Sequence, residues 1–140
     1  MSFTANQASR LSGCTISQVR YWARTGLVTP TKAGAYEFRD LVALRIVRSL
    51  LDAGLPTTRA RAAIESVRAL DQELTSVRLV TDGQQVWICH DDGQILNALR
   101  AGQLALFVAV DQVAAEVDAE VASFYAERDA FVEQLRADAR

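Results

Sequence analysis

Two Thr-x-x-Gln strings, Thr4 to Gln7 and Thr15 to Gln18, each followed by a glycine, Gly13 and Gly26, constrain the start of this 140-residue chain more than any other feature. A threonine at a helix N-cap accepts the backbone N–H three residues on, while a glutamine at that third position reaches back to the cap's own N–H. A glycine past the end stops a helix by taking the left-handed conformation without steric penalty. The pattern therefore predicts two short helices joined by a tight turn at Gly13-Cys14, a helix-turn-helix. In the first, Ala5, Ala8 and Leu11 share a face; in the second, Ile16, Val19 and Trp22 or Ala23 do, which marks them as the buried side. Ser17, Gln18, Arg20, Tyr21 and Arg24 point elsewhere. That mixture of hydroxyl, amide, phenol and guanidinium groups suits phosphate and base-edge contacts, so the second helix reads as a DNA recognition helix.

Residues 27–70 extend the pattern. Leu27 to Thr31 is a short extended run before Lys32-Ala33-Gly34, and Ala35 to Phe38 is expected to return as its partner strand, a small hairpin or wing. Spacing at Leu41, Leu44, Val47 or Arg48, and Leu51 predicts a helix with a buried stripe from about Phe38 to Ala53, ended by Gly54. Pro56 suits the start of another, with Ala60, Ala63 or Ile64, Val67 and Leu70 inward. Residues 1–70 carry ten basic side chains against four acidic ones, a net +6, whereas residues 71–140 carry five against thirteen, a net −8. A basic half joined to an acidic half is expected when one part meets a polyanion and the other does not.

The strings ASRLSGCTISQVRYWARTGLVTP, YEFRDLVALR and LLDAGLPTTRARAAI, covering most of residues 4–70, resemble the MerR family of transcriptional regulators, a winged helix-turn-helix group. Val19-Arg20-Tyr21-Trp22 ahead of Gly26-Leu27-Val28 is the most specific part, being similar to the family's Leu-Arg-Tyr-Tyr followed by Gly-Leu. The resemblance implies that Arg20 and Tyr21 hold the DNA backbone. It also implies that Tyr36 stands at the last aromatic of the wing's Gly-Tyr-Arg-x-Tyr motif, with Asp40-Leu41 behind it, and that Tyr36, like Lys32, is a ligand of the DNA backbone. Gly34 occupies the place of the usual wing arginine and Ala33 that of the first tyrosine, leaving Lys32 as the wing's basic residue. Arg59 and Arg61 fall near the family's second wing and are candidates to make up the loss. Trp22 reads as core; for Tyr21 a packed ring with a wet hydroxyl stands as the alternative.

Beyond residue 70, Ser76–Thr81 and Gln85–His90 alternate around Asp82-Gly83-Gln84 and predict a hairpin closed by Asp91-Asp92-Gly93. One or two helical turns at Ile95 to Leu99, a stop at Gly102 and a buried strand from Leu104 to Val110 complete a small sheet with a helix across it. From Asp111 onward no glycine or proline interrupts the chain. Val110, Ala114, Val117, Val121, Phe124, Arg128, Phe131 and Leu135 repeat at alternating steps of four and three, a heptad seam. The resemblance implies dimerisation through this helix, with Val117, Val121, Phe124, Phe131 and Leu135 in the seam; folding back over its own sheet is the alternative. The expected class is α+β: a winged helix-turn-helix over 1–70, a small α/β module over 71–110, and a long helix over 111–140.

Other functions find less support. Cys89 and His90, neighbours on a strand, point to opposite faces and would not chelate one metal ion. A buried cysteine and an exposed histidine are expected instead, and Cys14 fits a turn that wants a small apolar residue. Trp87, Phe107 and Tyr125 read as core rather than as a ligand pocket. One histidine, no phosphate-cradling glycine loop and no nucleophile with a base argue against an enzyme, and no cofactor is expected. Glu116, Asp118, Glu120, Glu127 and Asp129 read as a solvated helix face. With no apolar run long enough to span a bilayer and no charged leader, a cytoplasmic, nucleoid-associated protein is expected. Its partners would be double-stranded DNA at a near-palindromic site, a second copy of itself and RNA polymerase. An architectural or excision-type DNA-binding factor and an antitoxin-like protein-interaction module stand as rival readings.

Overall fold

A computed structural model describes residues 2–69, 77–101 and 106–139. Its elements are α1 (Ala5–Ser12), α2 (Ile16–Thr25), α3 (Phe38–Asp52), α4 (Thr57–Ala69), β1 (Arg78–Thr81), β2 (Val86–Cys89), α5 (Asp92–Ala101), β3 (Leu106–Ala109) and α6 (Val110–Asp138). The α+β class is as expected. Leu70 as a core residue, Gly102 as a stop, and Ser76 and Leu104 as strand starts lie outside the described residues.

Both capping boxes form. Thr4 Oγ1 accepts from Gln7 N at 3.2 Å and Thr4 N donates to Gln7 Oε1 at 2.9 Å. The turn between α1 and α2 is pinned from a third helix: Arg48 of α3 donates Nη1 to Gly13 O at 2.5 Å, and Cys14, buried, points its thiol at Leu44 O. Burial pushes the Cys14 thiol pKa up.

A continuous apolar core joins α1 to α4, one face of the sheet and the first half of α6, with Leu11, Val19, Leu41, Leu44, Ile46, Leu50, Ile64, Leu79 and Val117 at its centre. The sheet order is β2-β1-β3, antiparallel throughout, with Leu79 opposite both Ile88 and Val108, and Val80 opposite both Trp87 and Phe107. Because strand side chains alternate, Leu79, Ile88 and Val108 face the main core, and Val80 and Trp87 face α5. Cys89 is buried on the α5 side and His90 is exposed. The hairpin turn is the expected one: Gly83 takes φ 94°, and Asp82 Oδ1 accepts from Gln84 N and Gln85 N at 2.9 and 2.8 Å. Gly93, expected to close the second strand, lies instead in the first turn of α5, because Asp91 caps that helix by accepting from Gln94 N.

Two expectations change. The wing is not a two-stranded hairpin: its only pairings among the described residues are single bridges, Lys32 with Ala35 and Phe3 with Tyr36, and Phe38 already begins α3. The helical seam of α6 is also divided. Val117 and Val121 are buried in the chain's own core, and Phe124 packs half-buried with its ring 6.3 Å from that of Phe3. These three are thereby withdrawn from a partner helix, since an apolar stripe at heptad spacing packs on whichever surface meets it. Phe131 and Leu135 remain exposed.

Candidate nucleic-acid interface

The stereochemistry of α2 follows from its ends and its buried side. Thr15 Oγ1 accepts from Gln18 N at 3.1 Å and Gln18 Oε1 accepts from Thr15 N at 3.0 Å. Gly26 takes φ 77°, and Leu27 N reaches back to Trp22 O at 2.9 Å. Val19 and Trp22 are buried, which fixes the rotation of the helix and leaves Ser17, Arg20, Tyr21 and Arg24 exposed. Gln18 is half-buried with its carboxamide oxygen committed to the cap, so only its amide N–H groups remain for a base edge. The Arg24 guanidinium lies 5.8 Å from the centre of the Tyr21 ring, and Tyr21 is 56% exposed, so it is a surface residue and not a core one. Among the described residues Arg20 has no ion-pair partner.

The wing turn owes its shape to one carboxylate. Asp40, fully buried in the first turn of α3, accepts from Thr31 N (2.9 Å), Thr31 Oγ1 (2.8 Å), Glu37 N (2.8 Å) and Arg68 Nη2 (2.5 Å). Both ends of the segment 31–37 are therefore tied to a single side chain. At its tip Gly34 takes φ 71° and Lys32 is exposed, its ammonium 3.8 Å from Glu37. Arg39 stands beside the same Glu37 carboxylate at 3.7 Å and donates to Thr31 Oγ1.

Tyr36 differs from the expectation of a free phosphate ligand. It is buried, its backbone exchanges two hydrogen bonds with Phe3 (2.7 and 2.8 Å), and burial, with the Asp40 carboxylate adding to it, pushes its phenol pKa up. It borders an open groove of about 590 Å³ between α2 and the wing, together with Ser17, Arg20, Arg24, Pro30 and Gly34. Gly34 lies on the wing side of this groove, where a Cβ would stand in open space with nothing within 4 Å.

The two arginines of the expected second wing diverge. Arg59, in the first turn of α4, is exposed. Arg61, half-buried, donates Nη2 to Thr25 O at 3.0 Å, at the end of α2. Local spacing misses Asp40 as a hub and Arg68 as its partner because they are 28 residues apart; the one available signal is Asp40 three residues after Glu37, at the place where a capping carboxylate reaches back. Among the described residues no group of three or more His, Cys, Asp or Glu stands where it could hold a metal ion, and no helix is long and apolar enough to cross a membrane.

The family profile described as MerR HTH family regulatory protein matches residues 3–67, the span holding α1 to α4 and the wing. These residues are a MerR-family helix-turn-helix domain. Over 91% of its length, and so well past the MerR-type domain, the chain is 31% identical to uncharacterised HTH-type transcriptional regulators from Mycobacterium bovis and Mycobacterium tuberculosis. The chain spans about three-fifths of the length of those relatives, 61%. A MerR-family transcriptional regulator from Bacillus thuringiensis of known structure aligns over 98% of this chain and 99% of its own, at 18% identity and a TM-score of 0.42.

Proposed function

We propose that this chain binds duplex DNA through its MerR-type domain and regulates transcription, α2 entering the major groove with the wing beside it. The observation that carries this reading is the exposed set Ser17, Arg20, Tyr21 and Arg24 on a helix whose rotation is fixed by buried Val19 and Trp22, with Ser17, Arg20 and Arg24 lining a groove open beside the wing. Arg20, Tyr21, Arg24 and Lys32 take backbone phosphates and Ser17 the base edges, with Gln18 limited to donation. Arg59 extends the phosphate track, and Tyr36 shapes the groove wall from within the core. The names of the mycobacterial relatives, HTH-type transcriptional regulators, support the regulatory role.

The protein acts as a homodimer on a near-palindromic site, with Phe131 and Leu135 of α6, both exposed, in the contact between copies. Residues 1–70 are the DNA-reading part and 71–110 a small module whose strand β2 packs on α4, and α6 is shared between the core and the second copy. RNA polymerase is the further partner such a regulator meets, and the nucleoid its place in the cell.

The test is a salt titration of DNA binding. Each phosphate neutralised contributes about −0.9 to the slope of log K against log salt. Arg20→Ala is expected to weaken binding and to make that slope shallower by about one contact. Binding that ignores salt, or an Arg20→Ala variant with wild-type affinity, sinks the reading.

A further inference from the structure

We propose that α4 positions both DNA-reading elements through two arginines, Arg61 and Arg68. The inference rests on the DNA-binding reading and assigns to neither arginine a contact with DNA. Seven residues apart, the two stand about two turns and 10 Å apart along one side of the helix. Arg61 donates Nη2 to Thr25 O at 3.0 Å, the last residue of α2. Arg68 donates Nη2 to Asp40 Oδ1 at 2.5 Å, and Asp40 in turn holds the backbone N–H groups of Thr31 and Glu37 at the two ends of the wing turn. The recognition helix and the wing are thus each tied to the same rigid rod.

The chemistry at each end suits positioning. The last carbonyls of a helix have no intrahelical donor and carry partial negative charge, so a guanidinium there fills an open acceptor and complements the helix dipole. Thr25 O is such a carbonyl. Gly26, next along the chain, takes φ 77° and ends α2 at this carbonyl, and Arg61 Nη1 lies in ordinary contact distance of where its Cβ would stand. At the other end the Asp40 carboxylate is fully buried while Arg68 is less than one-third exposed, so its guanidinium is spent inside the protein. The apolar side of α4, Ala60, Ala63, Ile64 and Val67, is buried against the core, and β2 packs on the same helix. A shift of α4 against α3 would therefore pull on the end of α2 through Arg61 and strain the Arg68–Asp40 contact at the base of the wing at the same time.

Arg61→Gln, Arg61→Lys and Arg68→Lys are compared with wild type and Arg20→Ala in two measurements. The first is a salt titration on a duplex selected by the wild-type protein from a random-sequence library. Arg61→Gln is expected to lose about tenfold in affinity, the effect of one charged hydrogen bond, with its salt slope unchanged. Arg61→Lys, which keeps a charged donor, recovers most of that loss. A slope shallower by about 0.9 in Arg61→Gln, as expected for Arg20→Ala, makes Arg61 a phosphate ligand and overturns the proposal.

The second measurement is amide hydrogen exchange in the protein without DNA. Arg61→Gln is expected to speed exchange at Gly26 and Leu27, and Arg68→Lys at Thr31 and Glu37. Removing the Arg68 charge outright would strand a buried carboxylate and threaten the fold. The paired Asp40→Asn, Arg68→Gln variant removes both charges and is expected to loosen the same wing amides. Unchanged exchange at both ends overturns the proposal. If the wild-type protein selects no duplex, the DNA-binding reading fails by itself and the exchange data alone decide whether α4 holds the two elements.

Discussion

A carboxylate with no solvent contact needs its lone pairs filled by donors, and Asp40 fills them with two backbone N–H groups, one hydroxyl and one guanidinium. Removing it breaks the wing's attachment at both ends and leaves the Arg68 charge without its partner. Asp40→Ala is expected to cost about 3–5 kcal/mol, the usual range for half of a buried ion pair, measured by denaturant unfolding. A loss below about 1 kcal/mol would mean that the wing is held by something else. Tyr36, against the same carboxylate, gives a pH dependence. Burial first, and Asp40 second, raise the phenol above its ordinary value of 10.0, so in that window the folded state binds more protons than the unfolded chain. By linkage the Tyr36 contribution is intact below pH 10 and is lost as pH rises through the folded value. Tyr36→Phe should flatten this alkaline fall in stability; an identical alkaline profile would contradict the assignment. Asp40 is visible in the sequence behind Tyr36, but Arg68 is not, because no local periodicity connects a wing to the far end of a helix two elements later.

At the scale of elements, those whose determinants are local are legible in the sequence. The cap of α2 needs only Thr15 and Gln18, its stop only Gly26, and the hairpin of β1 and β2 only alternation around Asp82-Gly83. Thr15→Ala is expected to cost about 1 kcal/mol by removing the cap acceptor. Gly26→Ala is expected to cost about 1–2 kcal/mol, since φ 77° places an L side chain in the left-handed region. Thermal unfolding of the two variants checks both, and an alanine tolerated at Gly26 without loss would contradict that backbone. The wing escapes a local reading because its backbone partner is distant: Tyr36 pairs with Phe3, 33 residues earlier, and the segment between Thr31 and Glu37 is shaped by a side chain of α3. The start of α5 escapes it for the opposite reason. Asp91 is visible, but an Asp-Asp-Gly string ends a strand and caps a helix equally well.

For the molecule as a whole, the basic and acidic halves are partly each other's complement. Arg10 of α1 pairs with Glu127 of α6, and Arg45 of α3 stands 3.8 Å from Glu116 of α6, so part of the acidic charge of α6 is spent on its own chain. Such partly exposed pairs contribute at most about 1 kcal/mol each, and the attachment of α6 rests chiefly on Val110, Val117 and Val121 in the core. The heptad spacing announces an apolar stripe but cannot say whose surface it will meet. That division gives the last prediction. Val117→Ala is expected to cost about 2 kcal/mol in denaturant unfolding, from two lost methyl groups and a residual cavity, while leaving the association state unchanged. On the proposed dimer, the double variant Phe131→Ser, Leu135→Ser should do the reverse, sedimenting as a monomer where the wild type is expected to sediment as a dimer, with unfolding little altered. Truncation of all of α6 would confuse the two effects by opening the core. A double variant that still sediments as a dimer would place the contact between copies elsewhere than the free end of α6.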